Sequence, residues 1–267
     1  MYFRRQKSGK VYVLITIVIT LYIHTSCSRH SEPENTPPAK PSIPVLETLA
    51  KAEDLFKQRE DINNLREARR LTGQLRDPDS RNFEVEWKYA KYSLFLGQRL
   101  EDETEKEKVL EQGRDSGSIA MRMQPDKPDG YFWFGANLGE LSKMSPITVG
   151  LKSVDDVQGA MNKVIEMQPG YQGASAYDIL AQVEMGTRVF GNGKAERAVE
   201  YLEKGLALQP DNSNIRLHLA QAYLAVKKDD LAKQQLQYIL KMPPPPDYLP
   251  EHKLVVEQAK KMLSGRF

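Results

Sequence analysis

From about residue 45 to the C-terminus, apolar residues recur at i, i+3 and i+4, and no useful length of chain alternates apolar with polar. That period predicts helices rather than strands. In VLETLAKAEDLF one face gathers Leu46, Leu49, Ala52, Leu55 and Phe56, and in FEVEWKYAKYSLFL another gathers Phe83, Trp87, Ala90 and Leu94. The helices come in pairs, and each pair ends near a proline. Pro78, Pro125, Pro169, Pro210 and Pro244 are separated by 47, 44, 41 and 34 residues. The last interval carries an internal repeat. Ala198 and Ala232, Leu202 and Leu236, Leu206 and Leu240, and Pro210 and Pro244 are each 34 residues apart. That period is the one found in tetratricopeptide helix–turn–helix units. A small residue lets two helices cross closely, a large apolar residue one turn on fills the next layer, and the proline closes the second helix. In the first helix of the last repeat, Ala220 holds the small position and Tyr223 packs three residues later. The expected fold is all-α: a solenoid of about five helix pairs over residues 45–267, with a closing helix from His252 to Leu263 and a concave surface.

One stretch resists the single-stripe pattern of a surface helix. GYFWFGANLG, residues 130–139, sets Tyr131, Phe132, Trp133 and Phe134 side by side, and successive side chains diverge by about 100°. Tyr131, Gly135 and Leu138 share one face, Phe132, Ala136 and Gly139 a second, and Phe134, Leu138 and Leu141 a third, all read as core. The remaining face carries Trp133, Asn137 and Glu140. An amide and a carboxylate are costly in a dry core without partners, so this face suits the wall of a groove. The expected binding residues are therefore Trp133, Asn137 and Glu140, with Tyr131 beside them. A second reading stays open, in which Trp133 packs beneath a long loop over residues 142–153.

The N-terminus follows another pattern. Residues 1–10 carry Arg4, Arg5, Lys7 and Lys10, and residues 11–23, VYVLITIVITLYI, hold no charge. A basic segment followed by a short apolar one is the layout of a signal peptide, here residues 1–26. The apolar run is shorter than the ~20 residues that span a bilayer. The only cysteine, Cys27, follows in IHTSC, which resembles a bacterial lipoprotein cleavage box, although His24 stands where such boxes usually carry Leu. Cys27 is the expected lipidation site; the other reading is an uncleaved anchor, and both tether the chain to a membrane. Residues 27–44 contain five prolines and read as an extended tether. Ser28 after the cysteine resembles lipoproteins of the outer membrane, on the periplasmic side of the cell envelope.

Composition narrows the function. Lys plus Arg is 38 and Asp plus Glu is 36, a balance without the clustered positive charge of a nucleic-acid surface. The run RLEDETEKEKVLEQGRD reads as a solvated helix face. None of the four histidines has a second histidine or a cysteine at metal-ligand spacing. GASAY, residues 173–177, lacks the second glycine of a nucleophile elbow, and GNGK, residues 191–194, lacks the upstream glycine and hydroxyl of a phosphate loop and reads as a repeat turn. No catalytic residue, metal or cofactor is expected.

The aromatic-Asn-Leu-Gly helix, the turn at Pro169 to Tyr171 and the alanine repeat ending at Leu208 to Asn212 resemble the T component of tripartite ATP-independent periplasmic (TRAP) transporters. The resemblance covers roughly Trp87 to Leu263, and departs at Gln182–Val183, where many relatives carry Leu-Gly. It implies a non-catalytic accessory lipoprotein that binds a periplasmic solute-binding protein and a small ligand and associates as a trimer. The competing reading is a general repeat scaffold for envelope assembly.

Overall fold

The computed structural model describes residues 43–267. Among them are eleven α-helices and no strand: α1 (Ile43–Lys57), α2 (Ile62–Gln74), α3 (Phe83–Gly97), α4 (Glu103–Met123), α5 (Pro128–Met144), α6 (Leu151–Met167), α7 (Tyr171–Thr187), α8 (Ala195–Leu208), α9 (Ser213–Ala225), α10 (Asp229–Ile239) and α11 (Leu249–Arg266). Five antiparallel pairs and a closing helix are thus present. Each proline of the sequence pattern follows the second helix of a pair, where the missing N–H and fixed φ stop the helix from continuing. Asp61, Asn82, Asp102 and Asn212 cap α2, α3, α4 and α9 through side-chain oxygens that accept backbone N–H bonds.

Helices pack against their neighbours in sequence, and in addition α3 meets α5, α5 meets α7, α7 meets α9 and α9 meets α11. The first helices of the pairs therefore form an inner layer and the second helices an outer one. This explains the aromatic turn of α5: it is enclosed by α3, α4, α6 and α7, so no single stripe suffices. Ala198 and Ala232 are completely buried, as expected of the small crossing positions.

Two expectations change. The charged run in α4 is solvated on one side only, since Val109, Leu110, Gly113, Ser116, Gly117 and Ala120 are buried. These small residues admit α5. A Cβ on Gly117 would lie 2.5 Å from the backbone nitrogen of Phe134, and one on Gly113 would lie 2.2 Å from Oδ1 of Asn137. The segment 142–153 is not a long loop. α5 runs to Met144, a π turn covers Pro146–Gly150, and α6 starts at Leu151.

The array closes on itself. Arg59, in the loop between α1 and α2, is 4% exposed although it is charged. Its Nε and Nη2 donate to Glu251 of α11 at 2.8 and 2.6 Å, and Nη2 also donates to the carbonyl of Asp247 at 2.5 Å. The guanidinium lies over the rings of Phe56 and Phe95, 4.5 and 5.4 Å from their centroids. Lys253 donates to Glu60 at 2.6 Å beside it. The two ends of the solenoid are thereby joined.

Candidate functional site

Closure leaves a chamber of about 600 Å³ within the inner layer. Its apolar wall is built by Leu94 and Phe95 of α3, Phe132, Trp133 and Ala136 of α5, Val154 and Val157 of α6, and Ile179 and Val183 of α7. The aromatic part is an edge-to-face stack. The Phe132 and Trp133 centroids are 4.8 Å apart at 89°, and Phe132 and Tyr171 are 5.4 Å apart at 68°. Its polar lining includes Asp178 and Gln182 of α7, Asn214 and His218 of α9, and Tyr248 and Glu251 near the closure.

Gln172 reaches the chamber from an unusual turn. Gln172, Gly173 and Ala174 are left-handed in succession, with φ of 47°, 64° and 61°. For the two non-glycine residues this costs roughly 1–2 kcal/mol each. Three hydrogen bonds hold the turn. Nδ2 of Asn212 donates to the Gly173 carbonyl at 2.8 Å, Oγ of Ser175 to the Gln172 carbonyl at 2.6 Å, and the Tyr248 hydroxyl to Oε1 of Gln172 at 3.2 Å.

The polar lining contains an acid–imidazole pair. Nδ1 of His218 lies 2.6 Å from Oδ1 of Asp178, and Gln182 donates to the other carboxylate oxygen at 3.1 Å. Asp178 is buried, while about a quarter of the His218 side chain, 27%, stays accessible beside the chamber. Burial alone would lower the His218 pKa, but the Asp178 carboxylate and its hydrogen bond outweigh that and raise it above the ordinary imidazole value. The charged imidazole is therefore bound more strongly in the folded state. The stabilisation is fully present below the unfolded pKa of about 6.5 and is lost as pH rises through the higher folded value. Asp178→Asn removes the carboxylate and keeps the burial, so the His218 pKa should fall below the ordinary value; an NMR titration of the His218 ring protons checks this. The pair resembles part of a nucleophilic triad, but Ser175, one turn before Asp178, spends its hydroxyl on the Gln172 carbonyl. The pair can hold a proton and present a hydrogen bond to a bound molecule.

Of the four binding residues read from the sequence, the structure brings two to the chamber. Trp133 and Glu140 line it, although Trp133 is 1% exposed and so is packed core as well as wall. Glu140 accepts from Lys143 at 2.8 Å and from Gln98 at 3.2 Å. Asn137 is displaced from that face. It is fully buried against α3 and α4, and its Nδ2 donates to the carbonyls of Ala90 at 3.0 Å and Trp133 at 2.7 Å. Because Gly113 has no side chain, the amide is drawn into the helix crossing. Tyr131 is half-buried and does not line the chamber, while Phe132 and Ala136, read as core, do. Cys27 and the lipid anchor lie outside the described residues.

The sequence reading missed Asp178, Gln172, Tyr248 and Glu251 and left His218 without a role. Asp178 and His218 are 40 residues apart and Arg59 and Glu251 are 192 apart, so no local pattern joins them.

Residues 189–249 match the family model described as tetratricopeptide repeat. The fold is a tetratricopeptide-like helical solenoid. Residues 48–177 match the model described as regulator of microtubule dynamics protein 1-3. Among solved structures, a thermophilic tetratricopeptide protein of Thermus thermophilus is 17% identical with a TM-score of 0.57, over 79% of this chain and 98% of that one. A crystal structure of the MamA protein is 15% identical with a TM-score of 0.44, over 78% of this chain and 93% of that one. No curated protein matches the sequence. At 17% identity the Thermus structure speaks for the fold alone.

Proposed function

We propose that this protein is a non-catalytic, membrane-tethered repeat scaffold that holds a small amphipathic molecule in its chamber and offers its helical surface to a partner protein. The chamber carries the reading. Repeat arrays commonly present an open concave face to a peptide or protein, whereas here the joined ends leave a space of a size usual for small-molecule sites. Its lining combines apolar and polar side chains, which favours a ligand with an apolar body and a polar group. Protein–protein interaction is the general use of the fold. The finer assignment is an accessory component of a TRAP-type transport system, partnered by a solute-binding protein and anchored through Cys27 at the outer membrane. It rests on the sequence resemblance; neither matching family model names a transporter.

Gly139 gives the test. It lines the chamber, and a Cβ built on it meets nothing within 4 Å. Gly139→Leu should therefore obstruct part of the chamber, its Cβ meeting no helix contact, and it should raise helix stability by up to ~1 kcal/mol because glycine is a poor helix former. The purified protein should release a small molecule on denaturing extraction, seen by mass spectrometry, and Gly139→Leu of unchanged or higher Tm should release little. If the parent releases nothing, or both release the same amount, the chamber is not a ligand site.

A further inference from the structure

The five loops inside the helix pairs fall on one edge of the array, because each pair is an antiparallel hairpin and the hairpins stack in the same sense. The proline-bearing connections fall on the other edge. Two adjacent loops on the first edge differ from the rest. The two most exposed large apolar side chains among the described residues are Val189, 82% exposed, and Ile147, 71% exposed, and each stands at the tip of one of these loops. Phe190 beside Val189 is also exposed. Each tip is bracketed by cations, in KMSPITVGLK from Lys143 to Lys152 and in RVFGNGK from Arg188 to Lys194. Neither stretch contains a carboxylate; loops 58–61 and 98–102 carry Glu60, Asp61, Glu101 and Asp102, while loop 226–228, with Lys227 and Lys228, shares the positive charge but has no exposed large apolar tip. Lys143 is paired with Glu140, but Lys152, Arg188 and Lys194 make no ion pair among the described residues.

A singly exposed apolar side chain is ordinary on a protein surface; here the two most exposed ones share one edge and stand beside cations that make no ion pair among the described residues, and the combination suits a cover. The covering surface must accept apolar side chains a short distance in and present negative charge around them. A protein patch would meet the cations with carboxylates at fixed positions and the tips with formed pockets. An anionic lipid surface meets both needs without a fixed pattern, since headgroup charge surrounds an acyl layer that accepts small wedges of apolar side chain. The tips fit the second description. They are short, separate and borne on a π turn and a 3-10 turn, not on a continuous groove or helix face that a partner could follow. Pro146, Gly150 and Phe190 also border the chamber, so the surface that receives the tips lies close to it.

We infer that the edge formed by the loops 145–150 and 188–194 seats on an anionic membrane surface, with Ile147, Val189 and Phe190 entering the headgroup region and Lys152, Arg188 and Lys194 on the lipid phosphates. This rests on the two loops and not on what the chamber holds. It also differs from anchoring through the N-terminus, which would bring a membrane near without choosing an edge.

The test uses the full chain with vesicles of phosphatidylethanolamine and phosphatidylglycerol that contain acyl-brominated phosphatidylcholine, a quencher of indole fluorescence. Val189→Trp puts an indole at a tip. Asp79→Trp puts the same indole on an exposed connection of the opposite edge. Quenching, taken against vesicles without bromine to cancel Trp87 and Trp133, should be several-fold stronger for Val189→Trp. Adding K152E, R188E and K194E to Val189→Trp should abolish that excess, as should replacing phosphatidylglycerol with a neutral lipid. Equal quenching at both edges would mean tethering without a seated face and would overturn the inference. Quenching at neither edge would mean that the tips do not enter lipid and would overturn the inference. A Val189→Trp signal indifferent to the three charge reversals would remove the anionic lipid from the reading. Circular dichroism melts of each variant confirm that the fold is retained.

Discussion

Trp133→Ala is expected to lower the unfolding free energy by ~3–5 kcal/mol, as much as Phe132→Ala. The indole is 1% exposed and is held edge-to-face against Phe132, with Phe95 6.2 Å away between ring centroids. Truncation removes the stack and opens a hole beside the chamber that the rigid helices α3, α5 and α7 cannot close. From the sequence alone the opposite order follows: Trp133 on a groove wall would cost less than Phe132 in the core. Urea unfolding of both variants beside the parent decides between them. A loss under ~1 kcal/mol for Trp133→Ala, with several for Phe132→Ala, would restore the groove-wall reading and count against the packing described here.

Breaking the closure should have the second large effect. Arg59→Ala strands Glu251, whose side chain is 21% exposed, and removes the donor that holds the Asp247 carbonyl. Removing one partner of a buried pair costs ~3–5 kcal/mol, and the partial exposure of Glu251 brings the expectation to ~2–4 kcal/mol. The loss should be local as well as global. Hydrogen exchange should speed up in α11 and in the 3-10 turn Pro246–Tyr248 before it does in α3 or α5, because α11 otherwise rests on the last pair and on the exposed Lys253–Glu60 bond. Arg59→Lys should not restore the parent, since one ammonium cannot serve Glu251 in a two-pronged bond and Asp247 together. If Arg59→Ala exchanges in α11 at the parent's rate, the ends are held by other contacts and the chamber does not depend on this pair.

Much of the fold is legible in the sequence. The pairing of helices, their ends and the alanine crossings all come from contacts made between residues close in the chain. In a repeat array each unit buries its apolar face on its neighbours. The spacing of Ala198 and Ala232, both fully buried, therefore records packing directly. The prolines mark the pair boundaries for the local reason that they cannot extend a helix.

The candidate site is legible only in part, and the α5 turn shows why. Helical periodicity assigns directions around one axis, so Trp133, Asn137 and Glu140 fall on one face and are expected to share one environment. What surrounds that face depends on the neighbours. Gly113 on α4 leaves room for the Asn137 amide, which turns into the crossing, while the large indole of Trp133 reaches sideways to the chamber and Glu140 stays at its rim. Side-chain size and a missing Cβ on another helix separate three residues that the period groups.

By itself the sequence determined an all-helical array of five pairs and a closing helix, because those features rest on contacts within one or two repeats. Only the tertiary structure decided that the array closes, that a chamber remains inside it, and that Asp178, His218, Tyr248 and Glu251 meet there. Curvature is a small rotation between repeats, summed over all of them. No single repeat encodes the sum, so the meeting of Arg59 with Glu251, 192 residues away, leaves no period in the chain to be read.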